Sequence, residues 1–200
     1  MQANKLKRSI NKIQLKDKLL ILCCGQTEYI YFSFLKHKFK SANITIMQSK
    51  RSQQSKIIFE AINLKSHFKE IWIVFDKDKE ESSSFEKELT RAKKNKIHCA
   101  FSNRAFEYWL LLHFEYTLKC IEPSKLITEL EKHLTFRYDK SIETINKLAR
   151  EIQNKQEFAL SNGRKSYEVQ VKEHGQNASN WCSCTLVFLL IERMKKWGEV

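Results

Sequence analysis

The sequence predicts an α/β protein with a mainly parallel, four-stranded sheet and a helical C-terminal annex. Short apolar runs and amphipathic segments alternate four times between residues 19 and 113, and parallel neighbouring strands require crossover helices of this kind. After Pro123 the chain shows helical periodicity without a clear strand. Two hundred residues, 42% of them hydrophobic, suffice for one core. We therefore expect one folding unit, with residues 1–122 as the core and 123–200 as the annex.

The four predicted strands are short and apolar. Leu19–Cys23 is a continuous apolar run, which is typical of a strand covered on both faces. Asn43–Met47 is the second strand and Ile97–Phe101 the fourth. Ile71–Phe75 is the clearest of them, because it is β-branched and aromatic throughout.

The predicted helices follow the strands and then fill the annex. In the first helix, apolar residues such as Ile30 and Phe34 recur at helical spacing, and Thr27 is a candidate N-cap. The other predicted helices are Ser52–Phe68, Ser82–Asn95, a helix opened by Ser102 and Asn103 that runs through His113, and in the annex Ser124–Leu134, Ile142–Asn154, Glu157–His174 and Thr185–Trp197.

The charge balance favours a polyanionic partner. The chain has 36 Lys and Arg against 23 Asp and Glu, a formal net charge of +13, and such a field attracts nucleic acid. However, 28 of the basic residues are lysine, which is also the pattern that an AT-rich genome produces. A sharper candidate patch is the N-terminal segment, where Asp17 alone opposes six basic residues: Lys5, Lys7, Arg8, Lys12, Lys16 and Lys18.

The cysteine spacing and the hydropathy pattern indicate the cellular environment of the protein. The six cysteines show no spacing typical of a disulfide framework or of a structural zinc site, so we expect reduced and mostly buried thiols. No stretch approaches the roughly 20 apolar residues that cross a bilayer, and the N-terminus is polar and basic. We therefore expect a cytoplasmic protein without a membrane association.

Ligands of open parallel sheets gather beyond the carboxyl ends of the strands, so the residues that follow each strand are the candidate site. Asp76 and Asp78 follow the third strand and are two of only four aspartates. At positions i and i+2 their side chains point the same way, so both can address one hard cation such as Mg²⁺ or Mn²⁺. The alternative is a turn in which Lys77 and Lys79 neutralise the two carboxylates.

Two glutamates could complete a carboxylate cluster. Glu28 follows the first strand and Glu107 the fourth, each early in a predicted helix. The alternative for both is a favourable interaction with the helix dipole that needs no ligand. His113 lies on an apolar helix face beside Trp109, where a hydrogen-bonded core histidine is favoured over a ligand. A nucleophile pair of Cys24 and His113 lacks any diagnostic spacing.

Three segments resemble one protein family. Residues 22–32 (LCCGQTEYIYF) resemble the opening motif of RloB-like proteins, residues 73–78 (IVFDKD) their Asp-x-Asp strand, and residues 102–114 (SNRAFEYWLLLHF) their most distinctive block. Residues 138–140 (YDK) are similar to a later Tyr-x-Lys motif. The likeness runs in register from about residue 19 to residue 140.

The resemblance implies a TOPRIM-type fold and Mg²⁺-dependent phosphodiester chemistry on DNA or RNA. Such proteins are encoded beside ATPases in anti-phage and abortive-infection loci, which implies an ATPase partner. Carried over by position, the implied metal ligands are Asp76, Asp78 and Glu28, with Glu107 as a further acid; the implied polar contacts to phosphate or to these acids are Asn103, Arg104, His113 and Lys140.

The sequence departs from the family pattern at two positions. Cys24 stands where the opening motif has its first glutamate, and Arg104 stands where the third block has proline. A thiol is a poor ligand for Mg²⁺ and a different acid from a carboxyl group. Either Glu28 takes over the role at this catalytic position, or the domain is a degenerate one that binds nucleic acid or its partner ATPase without cutting.

Overall fold

A five-stranded sheet lies at the centre of the protein, as seen in a computed structural model that describes residues 18–51, 53–77 and 82–198. The strand order is β2-β1-β3-β4-β5, with β1 to β4 parallel and β5 antiparallel to β4. The predicted α/β class and mainly parallel sheet are confirmed. The strands are β1 (Leu19–Cys23), β2 (Ile44–Gln48), β3 (Glu70–Asp76), β4 (His98–Asn103) and β5 (Cys184–Thr185).

The sheet has one strand more than we predicted, and three helix starts differ. β5 is only two residues long and comes from the annex, too short for a periodic pattern. Thr185, predicted as the start of the last helix, belongs to β5, and that helix begins at Val187. Ser102 and Asn103 extend β4 instead of opening a helix, and Gly25, not Thr27, is the N-cap of the first helix. The helices are α1 (Gln26–Lys38), α2 (Gln54–Leu64), α3 (Ser82–Lys94), α4 (Phe106–Leu111), α5 (Pro123–Glu131), α6 (Ile142–Ile152), α7 (Gln156–His174) and α8 (Val187–Gly198), with 3₁₀ turns at Lys65–His67 and Ala178–Asn180.

The core is divided by the sheet into two layers. On one face, alternate strand residues such as Ile21 and Val74 pack against α1, α4 and the annex helices, including Ile191 of α8. On the other face, residues such as Ile73 pack against α2 and α3. The alternation of side chains along a strand assigns each strand residue to one of these faces. No helix in the described part of the chain has the length and hydropathy to cross a membrane.

The annex is joined to the core by covalent and polar contacts. Cys120 and Cys182 form a disulfide, with their Cα atoms 5.5 Å apart, so the prediction of reduced thiols is wrong for this pair. The spacing of 62 residues gives no sequence signal, because the fold alone brings the two segments together. The Ser183 hydroxyl also donates to the carbonyls of Leu118 and Lys119. The other four cysteines carry thiols: Cys23, Cys24, Cys99 and Cys184.

Candidate active site at the carboxyl edge of the sheet

Two buried glutamates meet at the edge where the parallel strands end. The chain passes from β1 into α1 and from β4 into α4 through connections of two residues each, so both helices begin at this edge. Glu28 lies in the first turn of α1 and Glu107 in the first turn of α4. They are only 5% and 2% exposed. Few carboxylates are buried this completely without a partner. The hydrogen bonds and charges around Glu28 and Glu107 therefore decide their ionisation.

The Glu28 side chain folds back over the start of its own helix. Its carboxylate accepts hydrogen bonds from the backbone N–H groups of Gly25 and Glu28, as the third helical residue does in a capping box. A Cβ atom on Gly25 would lie 2.2 Å from Glu28 Oε2. Glycine at this position therefore leaves the space that the carboxylate occupies.

The two carboxylates are incompletely neutralised. The pKa of Glu28 is raised to about 7, mainly by burial and to a smaller extent by the nearby charge of Glu107. Lys140 and the two backbone N–H groups lower it, without offsetting the burial. A carboxyl group with such a pKa at the carboxyl edge of a parallel sheet is a typical feature of a functional site.

Lys140 is the cation beside this pair. Its Nζ atom lies 2.7 Å from Glu107 Oε1, and its side chain is 46% exposed whereas that of Glu107 is 3% exposed. Tyr138 is buried, and its hydroxyl lies beside the Thr27 side chain. Burial, followed by the charge of Glu107, raises the Tyr138 pKa. The Tyr-x-Lys segment thus covers the glutamate pair from the annex side.

Asp76 is the last residue of β3, and it lies at the same edge. It pairs with Ser102 of β4, and its backbone carbonyl accepts a hydrogen bond of 3.3 Å from Gln54 Nε2. By strand alternation its side chain lies on the α1 face, with that of Val74. Asp78 lies outside the described residues, so the pairing of the two aspartates stays a prediction.

The donor set can be compared with what a hard divalent cation needs. Carboxylate oxygens are the ligands that Mg²⁺ and Mn²⁺ prefer, and the undercompensated charge around Glu28 favours an added cation. Within the residues that the structure describes, no three His, Cys, Asp or Glu side chains form a group able to hold a metal. The donors that are present fit such a cation in chemistry, and the complete ligand set stays a prediction.

Three predicted site residues make other contacts. The Cys24 side chain packs against the core layer on the α2 and α3 face, opposite to the face that carries Glu28. The Asn103 side-chain amide donates to the Trp181 carbonyl, and the Arg104 guanidinium pairs with Glu122. The contacts of Asn103 and Arg104 thus tie the end of β4 to neighbouring loops.

His113 lies in the core rather than at the edge. It is 1% exposed, its Nδ1 donates to the Trp109 carbonyl at 3.1 Å, and its Nε2 lies 3.4 Å from the Tyr31 hydroxyl. Burial lowers the pKa of His113 to about 4, so the imidazole is neutral. An enclosed, hydrogen-bonded histidine offers no surface to a phosphate, which corrects the contact that the resemblance implied and favours the core role.

Two residues of the site were not predicted from the sequence. Gly25 stands three residues before a glutamate at a helix start, a spacing that is compatible with the capping arrangement. Tyr138 stands in the Tyr-x-Lys motif, but its contact with Thr27 depends on the tertiary fold. Of the N-terminal basic segment, the described residues include only Lys18.

The protein is thus an α/β protein with a mainly parallel sheet and a buried carboxylate pair at the carboxyl edge of that sheet. The RloB-like protein family matches residues 19–194, which is most of the chain. The chain therefore belongs to the RloB-like family, and the resemblance seen in the motifs is confirmed. No curated protein and no solved structure matches the chain.

Proposed function

We propose that this RloB-like protein is a Mg²⁺- or Mn²⁺-dependent phosphodiesterase of the nuclease type, which acts on DNA or RNA in phage defence with an ATPase partner. The observation that carries the proposal is the pair of buried carboxylates, Glu28 and Glu107, at the carboxyl edge of the sheet with Lys140 as their shared cation. Family membership supports the same chemistry.

The proposed division of labour follows from position and charge. Asp76, Asp78 and Glu28 are the proposed ligands, and a divalent cation there supplies charge neutralisation for a phosphate oxygen and a water of lowered pKa. Glu107 is the further acid of the site and pairs with the Lys140 ammonium. The Lys140 side chain is half exposed and can turn towards a phosphate. The net charge of +13 adds attraction for the polyanionic substrate.

A second candidate function is a module that binds nucleic acid or the ATPase without cutting. Cys24 favours it, because a thiol stands where the family pattern has glutamate and its side chain packs on the other face of the sheet. In that case the glutamate pair has no catalytic role and only stabilises the first turns of α1 and α4.

A cleavage assay on single- and double-stranded DNA and RNA with Mg²⁺ or Mn²⁺ tests the proposal. We expect Asp76→Asn and Glu28→Gln each to lower the cleavage rate by about 100-fold or more, equivalent to about 2.7 kcal/mol of transition-state stabilisation. Glu157→Gln is the matched control, because Glu157 is 83% exposed on the annex; this variant should cut like the wild type.

The remaining outcomes separate the two candidate functions. If Cys24→Glu cuts at least tenfold faster than the wild type, the natural site is degenerate. If Cys24→Glu changes nothing while Glu28→Gln is inactive, Glu28 has taken over the role. A wild type that binds polynucleotides with a steep salt dependence, but cuts none with either metal, would establish the binding module instead.

A further inference from the structure

Lys140 has an unusual backbone conformation for its place in the chain. Three non-glycine residues in the described part have positive φ: Lys40 at 51°, Lys96 at 58° and Lys140 at 60°. Lys40 and Lys96 come two residues after the ends of α1 and α3, where left-handed residues commonly terminate helices. Lys140 instead precedes a helix, so helix termination does not explain its conformation, which costs about 1–2 kcal/mol.

The residues around Lys140 hold it in this conformation. The Tyr138 N–H donates to Glu131 Oε1 at 2.8 Å. Asp139 Oδ1 accepts from the Ser141 N–H at 2.9 Å and from the Thr144 hydroxyl at 2.8 Å, at the N-cap of α6. Anchors on both sides therefore fix the segment and direct the ammonium at the carboxylate pair.

The ion pair between Lys140 and Glu107 is asymmetric. The Glu107 side chain is only 3% exposed, whereas the Lys140 side chain is 46% exposed and can turn into solvent. A buried carboxylate left without its cation is strongly destabilising. The ammonium can therefore leave at low free-energy cost only when another cation takes its place beside Glu28 and Glu107.

We propose that Lys140 is an internal counter-ion that occupies the glutamate pair until a divalent cation displaces it, and thereby sets the metal concentration at which the site loads. The inference rests on the proposed metal-dependent function and adds a regulation of the same site. The group that competes with the divalent cation is the Lys140 ammonium, which the Tyr138–Lys140 segment holds in position.

Metal binding without nucleic acid tests the inference. Mn²⁺ and Mg²⁺ are titrated into the full chain at pH 8 by calorimetry, and thermal unfolding is recorded in parallel. We expect Lys140→Met to bind Mn²⁺ at least tenfold more tightly than the wild type, and to unfold at a lower temperature that Mn²⁺ restores. Lys140→Arg should stay close to the wild type, because it keeps the positive charge.

Two further variants keep the result interpretable. Lys140→Gly removes the ammonium but suits the left-handed backbone, so it should bind Mn²⁺ as tightly as Lys140→Met even if the methionine variant folds poorly. Lys96→Met is the matched control, an exposed lysine with the same backbone conformation outside the site, and its affinity should equal that of the wild type.

The other outcomes overturn the inference in distinguishable ways. Equal or weaker Mn²⁺ affinity in both Lys140 variants, with clear binding by the wild type, would refute the competition and leave the proposed function standing. Absence of Mn²⁺ and Mg²⁺ binding in the wild type and in every variant would overturn both the inference and the metal-dependent function.

Discussion

Two buried polar clusters lie along the same pair of helices and differ in charge. The core cluster joins Tyr31 of α1 to Trp109 of α4, to His113 just after α4, and to Gln156 of α7. The edge cluster lies at the first turns of α1 and α4 and comprises Glu28 and Glu107 with Lys140. The first is neutral and linked by hydrogen bonds across the helix interface, and the second has two carboxylates for one ammonium.

This comparison shows that burial alone does not identify a functional group. Burial moves the pKa of His113 down to about 4 and that of Glu28 up to about 7, because in both cases the neutral form is favoured. The core cluster then joins its neutral groups by hydrogen bonds within the protein. The edge cluster remains short of positive charge, and this property favours the binding of an added cation.

The largest expected effect on stability comes from the core cluster. Trp109 is fully buried and its indole N–H donates to the Tyr31 hydroxyl at 2.9 Å. Trp109→Ala removes that donor and leaves a cavity, so we expect the free energy of unfolding to fall by about 3–5 kcal/mol. Urea unfolding measures this loss. A tenfold change in the Mn²⁺ affinity of the folded variant would show that the two clusters are not independent.

The second expected effect is that two groups make the free energy of unfolding depend on pH in opposite directions. Glu28 has a raised pKa in the folded state, so its contribution to stability is full below about pH 4.5 and is lost as the pH rises to about 7. His113 has a lowered pKa, so its contribution is full above about pH 6.5 and is lost as the pH falls to about 4. Between these limits the two contributions oppose each other.

Single variants separate these contributions. His113→Gln should show unfolding free energy that falls with rising pH, and Glu28→Gln one that falls with falling pH, each by up to about 1.4 kcal/mol per pH unit. Denaturant melts from pH 4 to pH 8 measure both slopes, with Glu157→Gln as a control that keeps the wild-type profile. Identical profiles for the two variants would contradict the assignment of charge to these clusters.

The smallest expected effect concerns Gly25. A Cβ there would lie 2.2 Å from Glu28 Oε2, so Gly25→Ala must displace the carboxylate from the start of α1. We expect a loss of about 1 kcal/mol in unfolding free energy, comparable to a lost helix cap, together with weaker Mn²⁺ binding. Gly163→Ala, where the added Cβ would meet Phe188 and Trp109 at 3.2 and 3.3 Å, serves as a comparison that leaves metal binding unchanged.

The sequence could predict what depends on local periodicity. The apolar runs of β1 to β4 and the long helices of the annex were identified correctly, and strand ends pointed to Glu28 and Glu107. Ser102 and Asn103 were misassigned, because polar residues at a strand end resemble a helix start. The contact of Lys140 with Glu107 and the disulfide between Cys120 and Cys182 join segments far apart in the chain, and no local pattern encodes such pairings.

The place of α8 governs when this fold can be completed during synthesis. β4 ends at Asn103, whereas the helix that covers its α1 face begins only at Val187 and contributes Phe188 and Ile191 to that layer. At ribosomal rates of about 5–20 residues per second, the intervening chain takes on the order of ten seconds to emerge. During that interval the apolar part of the sheet face that α8 covers lacks its partner on the nascent chain.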